Sequence, residues 1–249
     1  MRDLARFVNK DALHQAYFNA ALVLLSGGAK FTPGNPYSDI GQLAPREAGF
    51  GVLGGPHILA LVSEVATRAL KVVWNQKWQV NLRLRPEAYG GLAHVQTIGV
   101  NETRRPYGVP EWVTETEAAS EVFKRYKSFL LPMAFTPGSP THPAYGAGHA
   151  TVAGACVTVL KAYFKTFETV GGQDRPLFFN TLKERDDGRG HNDPFGSGHT
   201  IKSYVTGFDG NAWGRFELDA SVASQLTIEG ELNKLAQNVA MGRSMGGVH

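Results

Sequence analysis

The sequence predicts a mainly helical protein, a helical bundle joined by Gly- and Pro-rich loops with a few short strands. Three observations predict it. Apolar residues recur at helical spacing in five long segments, as they do on the buried stripe of a packed helix. The stretches between those segments are rich in Gly and Pro, which interrupt helices. The 249 residues are 43% hydrophobic and 19% charged, enough apolar material for a sizeable core.

Taken in order, the first helix covers about Asp11 to Leu25, with Asp11 as N-cap and Gly27-Gly28 as the stop. Residues 29–56 read as an irregular loop with turn chemistry at PGNPYSD. The second helix runs from about Pro56 to Arg83, its apolar face marked by Leu59, Val62, Ala66, Leu70 and Val73, and Arg85-Pro86 ends it. On a helix Lys77 and Arg85 are offset by roughly 80° and converge on one target. A third, amphipathic helix covers about Pro110 to Leu131. The run from Ala150 to Phe164 is rich in small and apolar residues and suits a buried helix. Residues 165–215 are polar and Gly-rich, with room for short strands. The last helix runs from about Ile228 to Met241 and stops at Gly242.

Composition excludes several classes. A net charge of +3 is too small to argue for nucleic acid, yet it does not repel an anionic ligand. No apolar run is long enough for a transmembrane helix, and Asp3, Asp11 and His14 interrupt any signal-peptide pattern, so the chain is expected to be soluble and not membrane-bound. The one cysteine, Cys156, can form no intrachain disulfide and sits where a packed core residue is expected.

The chemistry concentrates at the loop Pro140–Gly148, which feeds a helix at Gly148-His149. A helix N-terminus presents free N–H groups and a positive dipole end, both favourable to an anion. Lys77, Arg85 and Arg243 add three cations, and His149 an acid–base group. Such a set can hold a tetrahedral oxyanion, with His249, as neutral imidazole, bonding its central atom from the apical side. His191 and Gly196-Ser197-Gly198-His199 imitate the Gly-His pattern, but the β-branched segment TIKSYVTGF follows them and leaves no helix N-terminus.

The pattern Lys-x7-Arg-Pro, then Gly-His, then Arg-x5-His resembles that of the vanadium-dependent haloperoxidases, whose site is shared with type 2 phosphatidic acid phosphatases. The stretches GNPY, FGVLGGPHILALVSEVATRALK, QKWQVNLRLRPEAYGG, SPTHPAYGAGHATVAGACVTVLKA and GELNKLAQNVAMGRSMGGVH look most like the bromoperoxidases of brown algae. The resemblance implies a mainly helical haloperoxidase fold and vanadate as cofactor. It implies oxidation of bromide or iodide by hydrogen peroxide, with small organic nucleophiles as the halogenated partners. His249 would bond vanadium, and Lys77, Arg85, Arg243 and the backbone of Gly148 would bind its oxygens. His149 would be the acid–base residue, Lys77 would polarise the peroxide, and His142 and Trp74 would face the halide.

The resemblance has departures. The family motif Ser-Gly-His is Ala147-Gly148-His149 here, and an Asp usually found beyond the ligand His has no counterpart. Residues 1–249 are therefore expected to form a single catalytic domain, a fragment lacking an N-terminal half and the segment after His249. The full-length protein is expected to be a homo-oligomer, and family members are often secreted or bound to cell walls. The residues themselves do not separate vanadate from phosphate. The alternatives are a phosphatase with His249 as nucleophile, or an inactive oxyanion-binding fragment. The long gap between Gly148-His149 and Arg243, with His142 and Trp74, favours the haloperoxidase.

Overall fold

Helices dominate the computed structural model, which describes residues 2–38, 48–98, 108–179, 182, 204–208 and 213–248. Their order is α1 (Arg2–Lys10), α2 (Gln15–Ser26), α3 (Gly55–Asn75) continued by a π-helical stretch (Gln76–Asn81), α4 (Pro86–Ile98), α5 (Trp112–Glu115), α6 (Glu117–Tyr126) and α7 (Gly148–Tyr163). Four strands follow, β1 (Phe167–Val170), β2 (Gln173–Pro176), β3 (Tyr204–Phe208) and β4 (Trp213–Glu217), then α8 (Ala220–Ala223) and α9 (Ile228–Met245). The strands form two antiparallel pairs, β1 with β2 in the register Phe167 to Pro176, and β3 with β4 in the register Tyr204 to Glu217. The mainly helical class therefore holds, and β3 falls within the segment TIKSYVTGF. Among the described residues no helix is long and apolar enough to cross a membrane.

The chain divides into two compact units. One comprises Ala12–Ala69 and Val152–Gln237. Its core is the expected apolar stripe: Ile58, Val62 and Ala66 of α3, Val152, Cys156 and Leu160 of α7, and Tyr17, Ala21 and Leu24 of α2 are all buried. Cys156 is fully buried as expected, and burial pushes its thiol up to about 12, so it packs as a small apolar residue. The Tyr163 hydroxyl donates to the Gly54 carbonyl at 2.9 Å, and Phe31 meets the Tyr163 ring edge-on at 5.3 Å. Asn35 is buried because its side chain substitutes for a partner strand, donating to Leu53 O and accepting from Tyr37 N. Asn35 thus anchors the loop 29–38, whose Lys30, Pro33, Gly34 and Pro36 stay exposed.

The other unit comprises Met1–Asp11, Leu70–Thr151 and Asn238–His249. It contains two helices that periodicity did not reveal, α1 and α4. Asp11 does not cap α2, which starts at Gln15 behind His14 with no side-chain cap bond. Arg85 lies beyond the helical run, after Leu82 turns left-handed at φ 42°, so its convergence with Lys77 comes from that turn and not from helical phase. The segment 110–131 splits at Thr116, whose extended backbone ends α5 and whose hydroxyl caps α6 by accepting from Ala119 N.

Gly242 does not stop the last helix. It lies within α9, and a Cβ there would come within 3.0 Å of Val8 and 3.2 Å of Leu4, so glycine lets α1 approach. The stop comes at Gly247, at φ +75°, where Val248 N bonds back to Arg243 O at 3.0 Å. The same turn is tied to the loop before α7 by Ala134 N donating to Gly246 O at 3.1 Å. A Cβ at Gly247 would meet the Pro132 carbonyl oxygen at an impossibly short distance, so both space and backbone angle exclude a side chain. Gly247→Ala is expected to lower stability by more than the roughly 1–2 kcal/mol of a left-handed L-residue. Chemical denaturation of the two proteins measures this.

Candidate active site

Trp74, Lys77, Arg85, His142, Gly148, His149 and Arg243, singled out from sequence, all belong to the unit that comprises Met1–Asp11, Leu70–Thr151 and Asn238–His249. Lys77 stands at the start of the π-helical stretch, and its carbonyl accepts from Leu82 N five residues on, the bond that defines a π-turn. The widened turn buries a lysine, leaving it 2% exposed. Its ammonium donates to the Pro143 carbonyl at 2.9 Å and meets His142 Nδ1 at 3.1 Å. Burial, then the charges of Arg85 and Arg243, lower the Lys77 pKa to about 8.

Arg85 is buried at 6% exposure, bonded through Nε to Glu87 Oε2 at 3.2 Å and through Nη1 to the His142 carbonyl at 3.4 Å. Arg243, near the end of α9, donates through Nη1 to Val8 O at 3.1 Å, at the end of α1. Burial and the Arg85 charge lower its pKa, while Asp11 and Glu87 oppose that shift. Three cations thus lie within electrostatic range of one another. Like charges gathered in a poorly solvated place repel, so the arrangement favours an anion among them.

His142 stacks at a tilt of 45° on Trp74, ring centroids 5.3 Å apart. Its pKa is lowered, first by burial and then by the three cations, against the opposing Pro143 carbonyl contact. Its Nδ1 lies 3.1 Å from both the Lys77 ammonium and the Pro143 carbonyl oxygen. Trp74 keeps 41% of its surface exposed and also meets Trp78, ring centroids 6.4 Å apart.

Gly148 and His149 are the first two residues of α7, as the break before them predicted. Thr151 N bonds to Ala147 O, so the N–H groups of Gly148, His149 and Ala150 precede the first intrahelical bond. Leu70 lies only 3.8 Å from where a Gly148 Cβ would stand. His149 Nε2 meets Asp11 Oδ1 at 3.1 Å, with side-chain exposures of 19% and 4%. Asp11 is a site residue that the sequence reading cast as a helix cap. It is separated from His149 by 138 positions, and no spacing links the two.

The structure therefore brings together Trp74, Lys77, Arg85, His142 and Arg243, and it sets His149 against Asp11, whose charge also acts on Arg243. Ala147 carries no hydroxyl toward this region, and its carbonyl is taken by Thr151 N and Oγ1. His249 and the imitation motif at His191 and His199 lie outside the described residues. Val248, next to His249, is buried and held by the turn after α9. Arg-rich, lysine-containing, His-flanked sites on a helix N-terminus suit a tetrahedral oxyanion by charge sign and by donor type.

No protein-family model matches the chain. Curated relatives do. The chain is 39% identical over 266 aligned positions to a vanadium-dependent bromoperoxidase of Corallina pilulifera, 38% to that of Corallina officinalis and 35% to that of Ascophyllum nodosum. Each match takes in 100% of this chain but only 38–39% of the relative, so the chain spans well under half the length of the curated relatives it matches. The chain is thus a relative of the vanadium-dependent bromoperoxidases, similar over its whole length to their C-terminal portion.

Proposed function

We propose that this chain carries the vanadate site of a haloperoxidase that oxidises bromide or iodide with hydrogen peroxide and so halogenates small organic nucleophiles. The observation that carries the reading is the cluster of buried Lys77, buried Arg85 and half-buried Arg243, within electrostatic range of one another, which calls for a multiply charged oxyanion. Lys77, Arg85, Arg243 and the Gly148 N–H would hold the oxygens of vanadate, and His249 would bond the metal. Bound there, vanadate supplies a Lewis-acid centre for peroxide.

The remaining roles belong to the side chains. His149 takes the proton of the incoming peroxide, and Asp11, 3.1 Å from its Nε2, orients the ring. Lys77 donates toward the bound oxygens while its contact with His142 fixes that ring. His142 and Trp74 receive the halide. A neutral imidazole keeps one ring N–H, which His142 has to offer an anion. Residues 1–249 form the catalytic portion of this activity. The names of the relatives support peroxide and halide as substrates.

The purified protein is expected to brominate an organic dye with bromide and peroxide only when orthovanadate is added, and added phosphate should slow it competitively. Equal bromination after exhaustive removal of vanadate overturns the reading. Vanadate-inhibited hydrolysis of a phosphomonoester without bromination would make the site a phosphatase.

Lys77 gives the site a pH dependence. In the free protein its ammonium is present below about pH 8 and is lost as pH rises through that value. Its folded pKa is depressed from 10.5, so stability owed to Lys77 rises between about pH 8 and 10.5, while anion affinity falls. Sulfate, whose charge is constant in this range, should bind more weakly at pH 9 than at pH 7. Lys77→Met should weaken binding at pH 7 and flatten the profile, as titration calorimetry would reveal.

Asp11→Asn replaces a charge-assisted hydrogen bond, a type that contributes about 1.5–3 kcal/mol. It is expected to lower kcat for bromination roughly tenfold or more. Sulfate affinity should hold or rise, since a negative charge near Arg243 is gone. Parallel losses in kcat and sulfate binding would show that Asp11 supports the cation cluster and not His149.

A further inference from the structure

We propose that Glu87 is the positioning residue that holds the Arg85 guanidinium in its anion-binding orientation before any anion arrives. The inference rests on the reading of Arg85 as an oxyanion ligand and adds a residue that the reading does not require.

Arg85 belongs to the irregular stretch 82–85, so its own backbone offers little to fix a long side chain. Glu87 is the second residue of α4, where a helix N-terminus favours a carboxylate. Side-chain exposure is 7% for Arg85 and 4% for Glu87, which shields the pair from water. The Nε–H bond to Glu87 Oε2 at 3.2 Å and the Nη1 bond to the His142 carbonyl at 3.4 Å grip two different nitrogens of one rigid plane. Two such contacts fix the plane and thus the direction of the remaining N–H groups. Glu87 also favours the charged form of Arg243, so one carboxylate serves two of the three cations. A regular helix therefore lends its rigidity, through one ion pair, to a cation on irregular chain.

The test measures Arg85 with and without an anion. In the anion-free protein, the Arg85 Nε–H resonance, assigned by its loss in Arg85→Lys, is expected to be protected from solvent exchange. Glu87→Gln retains an acceptor oxygen and should keep that protection, while Glu87→Ala should lose it. Sulfate binding by calorimetry should follow the same order, within about threefold of the parent for Glu87→Gln and weaker by about tenfold or more for Glu87→Ala. Should Glu87→Ala not fold, Glu87→Asp replaces it, because the shorter side chain draws the carboxylate out of reach and predicts the same two losses. A protected Nε–H and parental affinity in Glu87→Ala or Glu87→Asp would overturn the proposal. So would equal losses in Glu87→Gln and Glu87→Ala, since charge and not orientation would then decide. If the parent itself binds no sulfate, the oxyanion reading of the site fails, while the Nε–H measurement still decides the role of Glu87.

Discussion

Three positive charges, two buried and one half-buried, close enough to weaken one another, are the constraint on which this structure turns. Lys77, Arg85 and Arg243 come from three different elements, and each is brought in by a local irregularity. A π-turn buries Lys77, a left-handed residue at Leu82 redirects the chain to Arg85, and a glycine at 242 lets α1 approach the helix that carries Arg243. Burying cations without partners is costly, and the fold meets that cost with backbone carbonyls at Pro143, His142 and Val8 and with the carboxylates of Asp11 and Glu87. The carbonyls solvate the cations without neutralising them. The carboxylates leave the three cations in excess, and that excess is what an oxyanion would answer.

The two histidines divide according to the charges around them. His142 faces the cations, which together with burial hold it neutral, with Nδ1 beside the Lys77 ammonium. His149 faces a carboxylate instead, at the opposite kind of electrostatic address. A ring set among cations and a ring set against a carboxylate are different tools. One sequence motif, with histidines seven residues apart, supplies both because the loop between them turns one toward α3 and the other toward α1.

Periodicity made the buried helices legible, because α3, α7 and α9 carry apolar stripes long enough to stand out from their flanks. It missed α1, nine residues with charges at both ends, and α4, whose Gly90-Gly91 pair looks like a loop in sequence. Gly242 was misread for a related reason: a glycine marks either a chain reversal or a close neighbour, and sequence does not say which. Lys77, Arg85, His149 and Arg243 were legible as a constellation, since the chemistry of an oxyanion demands those residue types. Asp11 was not, because a carboxylate that orients a histidine 138 positions away leaves no mark on local spacing. Glu87, two residues from its arginine, was visible in the sequence yet unremarkable there, since a glutamate in a first helical turn needs no further reason.

The π-helical stretch has a consequence for how such a chain tolerates insertion and deletion. A π-turn holds one residue more than the α-turn it replaces, so deletion of a single residue within Gln76–Asn81 would let the helix regain ordinary pitch at little cost to its own hydrogen bonding. What would be lost is the widened turn that buries Lys77, together with the bond from Leu82 N to the Lys77 carbonyl. The irregular turn therefore serves the cation it buries, against the preference of the helix that contains it.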